Sequence, residues 1–242
     1  MLSVAEIFAS LQGEGPYMGQ PAVFVRLAGC VPPFCAWCDT PQALHAGGEA
    51  TAMSPQAVLE AVQEYAATLA ATLADTLADT LVVVTGGEPF RQWHTGLEVL
   101  AEILADAGLS IQYETSGKAG IPAGCRGVVV CSPKPADAPD GGCSGAYDLA
   151  PESVARADAF KFVVDCGGNG AFADSCDMAL APVLDFIRTH AISPRKVWLM
   201  PRGARKDEQL TRMQAVWEAC VRHGFNFAPR LHILTFDDRK GI

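Results

Sequence analysis

The sequence predicts an α/β fold, a parallel sheet whose strands alternate with helices joined by right-handed crossovers. Three observations predict it. Short, nearly unbroken apolar runs occur at Ala22–Leu27, Leu81–Val84, Leu109–Tyr113, Gly127–Cys131, Ala159–Val164 and Val197–Met200, as expected of strands covered on both faces. Helices are expected between them, near 55–74, 95–107, 152–157, 177–190 and 206–222. Polar residues recur just past the ends of the runs, where a sheet of this kind builds its ligand rim.

The bulk numbers narrow the class. A chain of 242 residues leaves room for one domain with a sizeable core. Half the residues are hydrophobic and 19% are charged, the balance of a globular protein. A net charge of −9 without a basic patch argues against nucleic-acid binding. No apolar run approaches the roughly 20 residues that span a bilayer, and no signal peptide is visible, so no membrane partner is expected. Nine cysteines, an odd number, show no disulfide framework. A reducing, cytoplasmic compartment is the expectation.

The elements follow in order. Ser3–Leu11 is a short strand or turn that enters Gln12–Gly13–Glu14–Gly15–Pro16. Arg26 is the one charge in the first apolar run and shares a face with Phe24. A guanidinium pointing inward needs an anionic partner. A structural carboxylate is the plain alternative to a ligand. Ser54–Pro55 starts a helix, with serine at the cap and proline at the first position. Its continuation repeats every four residues over 68–79 and reads as connector without chemistry. Asp137–Gly145 is a loop rich in glycine and proline, and Cys143 in it reads as a bystander. Among the histidines, His232 is the one site candidate.

Two loops carry the chemistry. The first apolar run is followed by Gly29–Cys30–Val31–Pro32–Pro33–Phe34–Cys35–Ala36–Trp37–Cys38–Asp39–Thr40. Three soft ligands within nine positions suit zinc or iron–sulfur chemistry. A closed zinc site wants four ligands, and so does a closed iron–sulfur cube. With no further CxxC in the chain, a cube with one open iron is the first reading. Zinc completed by His45 or Asp39, or a loop of free thiols, stays open. The second loop, Thr85–Gly86–Gly87–Glu88–Pro89, ends the next apolar run and would otherwise be an ordinary strand-to-helix turn.

Together these loops resemble the radical S-adenosylmethionine (SAM) superfamily. Four residues separate Cys30 from Cys35, where the superfamily usually has three. Further matches are similar to the 7-carboxy-7-deazaguanine synthase family: Glu6–Gly15, Phe24–Leu27, Cys38–Thr40, Ser132–Pro135, Lys161–Val164, Trp198–Pro201 and Arg230–Leu234. They run in shared order over nearly the whole chain.

The resemblance implies an incomplete (β/α)6 barrel and a lyase. That lyase converts 6-carboxy-5,6,7,8-tetrahydropterin to 7-carboxy-7-deazaguanine with loss of ammonia, for queuosine and other 7-deazapurines. It implies a [4Fe–4S] cluster on Cys30, Cys35 and Cys38, SAM held by Gly87, Ser132, Pro133, Lys134, Pro201, Arg202 and Gly203, and Mg²⁺ on Thr40. Leu11, Gln12, Gly13, Glu14, Arg26, Thr85 and His232 would surround the pterin. The carboxylate of Ile242 would reach it too, with Asp237 or Asp238 as competing acceptors. Arg26 would clamp the substrate carboxylate, its fork suiting that group. A flavodoxin or ferredoxin as electron donor and a homodimer are implied as well. A glycyl-radical activase shares the cysteines and Gly-Gly-Glu-Pro but not Gln12–Gly15 or the closing Arg-Leu-His. A zinc-stabilised binding module is the non-enzymatic alternative.

Overall fold

Every second residue of the parallel strands points to the helices, and the others point inward, where some line a cavity and Ala22, Leu81 and Val83 form a second small core. This alternation organises the computed structural model, which describes residues 1–35, 38, 40–45, 50–70, 80–135, 145–167, 172–237 and 239. In β2 (Pro21–Leu27), Val23, Val25 and Leu27 join the main core, whereas Phe24 and Arg26 line the cavity. In β4 (Leu81–Gly86), Val82 and Val84 face the core and Thr85 the cavity. The same division places Ile111 and Tyr113 of β5 (Ser110–Thr115) opposite Glu114. It places Phe160 and Phe162 of β7 (Ala159–Val164) opposite Lys161 and Val163. Each fully buried Leu or Phe stabilises the fold by roughly 2 kcal/mol.

With β1 (Leu2–Leu11), β3 (Thr51–Met53), β6 (Val128–Cys131), β8 (Val197–Pro201) and β9 (Asn226–Phe227), the described residues form one nine-stranded sheet. Its order is β3-β1-β2-β4-β5-β6-β7-β8-β9. β1 pairs antiparallel with β2 and β3, and every pairing from β2 to β9 is parallel. β3 and β9 are the two ends of this order, so the barrel is not closed among the described residues. The expected six parallel strands are present as β2 and β4 to β8.

Helices α1 (Pro55–Ala70), α2 (Leu97–Asp106), α4 (Phe172–Thr189) and α5 (Lys206–His223) pack on the outer face of the sheet, with the short α3 (Pro151–Arg156) before β7. The Ser54 cap is realised, its Oγ accepting from Ala57 N–H at 3.1 Å. No helix among the described residues is long and apolar enough to cross a membrane.

Several expectations are corrected. β1 is a ten-residue strand and not a short strand or turn, because β2 and β3 both hydrogen-bond to it. The helix expected from Thr95 begins at Leu97. Gly96, at φ 154°, separates it from a 3-10 stretch over Pro89–Thr95. α4 starts at Phe172, before the expected 177. β9 and α6 (Leu231–Phe236) were not foreseen, being two and six residues long. Cys166 and Cys176 form a disulfide where no pairing was expected, because folding brings α4 back over the end of β7. Most of the 68–79 repeat, Cys143 with most of its loop, Asp39, Asp238 and Ile242 lie outside the described residues.

Candidate active site

One cavity of about 860 Å³ opens at the C-terminal ends of the parallel strands, within the size range of small-molecule sites. Cys30, Cys35 and Cys38 line it from the loop after β2, together with Thr40. None of the three is part of the described disulfide, and all are half-buried. The free cysteines Cys125, Cys131 and Cys220 do not line the cavity. Burial pushes the Cys30 thiol up, and nearby Glu88 and Cys35 add to this. Among the described residues no three His, Cys, Asp or Glu side chains stand close enough to hold one metal ion. A multi-iron cluster is wider than one ion and takes its thiolates at separate corners. The donor set fits such a cluster: three soft ligands on one loop, facing a cavity to which no other described cysteine contributes.

The Gly-Gly-Glu-Pro turn braces this loop. Gly87 N–H donates to Leu27 C=O at 3.0 Å and Glu88 N–H to Gly29 C=O at 2.8 Å. Gly86 sits at φ 127°, and a side chain there would strike the Leu27 backbone. The Gly87 N–H is committed within the protein, where the two backbones approach too closely for a Cβ. The Glu88 carboxylate is fully buried. It accepts from Thr115 Oγ1 at 2.6 Å, from Ser116 N–H at 2.9 Å and from Ser116 Oγ at 2.5 Å. It therefore ties the β4 turn to the end of β5.

The remaining expected residues divide by place. Ser132 and Lys134 line the cavity after β6, Lys134 Nζ donating to Ser132 Oγ at 2.6 Å. Pro133 lies between them but is not a wall residue. Pro201, Arg202 and Gly203 line the cavity after β8, with Arg202 held by Asp165 at 3.0 Å. Leu11, Gln12, Gly13 and Glu14 form the wall after β1. His232 packs on Gly13, where a side chain would clash with its ring. Thr85 lines the cavity beside Arg26, its register partner across β2 and β4. Ile242 lies outside the described residues.

Arg26 has an in-chain partner, its Nε donating to Glu6 Oε1 at 2.6 Å, and stands 5.8 Å over the Phe8 ring. Both residues of the ion pair still line the cavity.

Sequence reasoning missed an inner charge cluster. Lys161 Nζ donates to Glu14 Oε2 at 2.6 Å and to Glu114 Oε2 at 2.5 Å. Arg230 Nε donates to Glu14 Oε1 at 2.8 Å. Gln12 and Gln112 donate to Glu114 Oε1 at 3.2 and 2.8 Å. Burial alone would raise the Glu14 carboxyl, but Lys161, Arg230 and His232 hold it well below the usual carboxylate range. Burial alone would lower the Lys161 ammonium, and Glu114 with Glu14 reverses this to a raised value. One signal was available. Lys161 is the one charge in its apolar run, as Arg26 is in its own.

A mostly parallel, unclosed α/β sheet, with three cysteines on the loop after its first parallel strand, defines the radical SAM class of enzyme. No family model matches the chain. It is 38% identical to the 7-carboxy-7-deazaguanine synthase of Pyrobaculum aerophilum, over 98% of this chain and 96% of that one. It is 35% identical to that of Hyperthermus butylicus, over 97% and 92%, and 31% identical to that of Escherichia coli K12, over 95% and 96%. The crystal structure of QueE from Escherichia coli superposes with a TM-score of 0.67 at 25% identity, covering 96% of this chain and 94% of that one. The chain belongs to the 7-carboxy-7-deazaguanine synthase family. That family uses SAM and a [4Fe–4S] cluster, with Mg²⁺.

Proposed function

We infer that the chain is a radical SAM lyase that converts 6-carboxy-5,6,7,8-tetrahydropterin to 7-carboxy-7-deazaguanine with loss of ammonia, for queuosine biosynthesis. The observation that carries this is the single cavity shared by the three cysteines and the polar wall of Glu14, Arg26, Glu114 and Lys161.

In this reading Cys30, Cys35 and Cys38 hold the cluster, and Thr40 binds Mg²⁺ through its hydroxyl, a hard oxygen ligand. Gly87, Ser132, Pro133, Lys134 and the Pro201–Gly203 turn form the SAM side. SAM bound at such a cluster supplies a 5′-deoxyadenosyl radical, and the rest of the work is the protein's. The Gln12–Glu14 wall orients the pterin, and Arg26 meets its carboxylate, Glu6 holding the guanidinium in place. Arg230, His232 and Ile233, from α6 and the residue before it, line the cavity as well.

The reductant is a flavodoxin or ferredoxin, and the compartment is cytoplasmic, which suits an oxygen-labile cluster on cysteine ligands, while the Cys166–Cys176 disulfide is unusual for that compartment. The partner is a second copy of the chain. The outward face of α5 supports this: Leu210, Trp217 and Val221 are 56, 57 and 72% exposed, with exposed Gln214 completing the stripe. The steps of four, three and four residues read the same from either end, so an antiparallel copy can oppose the stripe. Trp217→Glu should give a monomer by sedimentation, and a persisting dimer would overturn this interface.

Anaerobic turnover tests the function. Reconstituted protein given 6-carboxytetrahydropterin, SAM and a chemical reductant should release ammonia and a product with the mass of 7-carboxy-7-deazaguanine. SAM cleavage without that product would reject the lyase assignment.

A further inference from the structure

Lys161 occupies the middle of β7, where the fold itself asks only for bulk. The strand pairs with β6 on one side and β8 on the other through its backbone. Its neighbours Phe160 and Phe162 supply the core contact. The Lys161 side chain is 4% exposed. An ammonium buried there is disfavoured against an apolar residue of equal volume unless its partners are excellent.

Those partners come from distant parts of the chain. Glu14 lies 147 residues away and Glu114 lies 47 away. Glu14 is also faced by Arg230 and His232, from the end of the chain. Glu114 is faced by Gln12 and Gln112. The four charges among these groups sum to zero. Each carboxylate oxygen can accept two hydrogen bonds. Among the described contacts, both Glu14 oxygens and Glu114 Oε2 each carry one. Acceptor capacity therefore remains on carboxylates that line the cavity.

We propose that Lys161 is a positioning residue: its ammonium, gripped by both carboxylates, holds Glu14 and Glu114 as a fixed pair of acceptors for the N–H donors on the substrate's pyrimidinone edge. This rests on the pterin reading above. Lys161 makes no contact with the reacting carbon and acts only through its two partners. Without it, two carboxyls meet in a buried site. Burial then raises their affinity for a proton, and a protonated carboxyl presents a donor where an acceptor is needed.

The test uses cluster-loaded protein, with pterin binding followed by anaerobic calorimetry at about pH 6 and about pH 9. Lys161→Met keeps the volume and removes the charge. It should weaken pterin binding about 10- to 100-fold at the lower pH, and the gap from wild type should narrow at the higher pH as the carboxyls ionise. Iron content and SAM affinity should hold. Unchanged pterin affinity, or an equal loss at both pH values, would overturn the proposal. If Lys161→Met does not fold, the charge-balanced double variant Lys161→Met/Glu114→Gln carries the test. It leaves Glu14 with Arg230, and should bind pterin more weakly than wild type and equally at both pH values. Wild-type affinity in the double variant, or a loss that still varies with pH, would overturn the proposal. Wild-type protein that binds SAM but no pterin overturns the substrate reading, and this inference with it.

Discussion

Arg26 Nε lies 2.6 Å from Glu6 Oε1, across the antiparallel pairing of β2 and β1 in which these residues are register partners. The pair sits on the cavity wall, so the guanidinium is oriented before any ligand arrives. A fork held at one nitrogen still offers its other edge to a carboxylate. Arg26→Lys should therefore weaken pterin binding about 10-fold or more, because a point charge cannot hold both Glu6 and a ligand carboxylate in one plane. SAM affinity should not change. Equal losses of both ligands by calorimetry would make Arg26 a structural residue only.

Three thiols on one loop leave no spare ligand among the described cysteines. Cys35→Ala should give protein without cluster absorbance and without SAM cleavage. Cys125→Ala should retain both, because Cys125 does not line the cavity. Iron and sulfide analysis after anaerobic reconstitution checks the pair of variants.

Glu88 joins two loops through a buried carboxylate that accepts from Phe90 N–H, Thr115 Oγ1, Ser116 N–H and Ser116 Oγ. Glu88→Gln puts an NH₂ group against a backbone N–H that cannot turn away. The expected loss is about 3 kcal/mol, or about 6 to 12 °C in melting temperature for a chain of this size. A melt unchanged by the substitution would show that the carboxylate is not needed to hold these turns.

The inner charge cluster sets a pH window for stability. The Glu14 carboxyl is lowered in the fold, so its contribution is complete above the unfolded value of about 4.3 and fades as pH falls through the folded one. The Lys161 ammonium is raised, so its contribution is complete below about 10.4 and fades only as pH rises through its folded value. Between these limits the cluster should contribute a constant amount. Urea unfolding of Glu14→Gln against wild type should show a stability gap that is flat near neutral pH and closes below about pH 4. A gap that grows on acidification would contradict the lowered Glu14.

The amino-acid sequence by itself determined the six parallel strands, because a strand covered on both faces must be written as a short apolar run. It determined the cysteine loop and the Gly-Gly-Glu-Pro turn, because both are local in the chain. It marked Arg26, because one charge in an apolar strand violates the local pattern. Only the tertiary structure decided which groups answer those charges. Glu6 meets Arg26 through the register of β1 on β2, and residues 14, 114, 161 and 230 converge although no local spacing relates them. It also joined Cys166 to Cys176 and extended the sheet by the two-residue β9. Periodicity within a segment reports which face is buried. What a buried charge touches depends on strand order and crossover, and these are settled by packing across the whole chain.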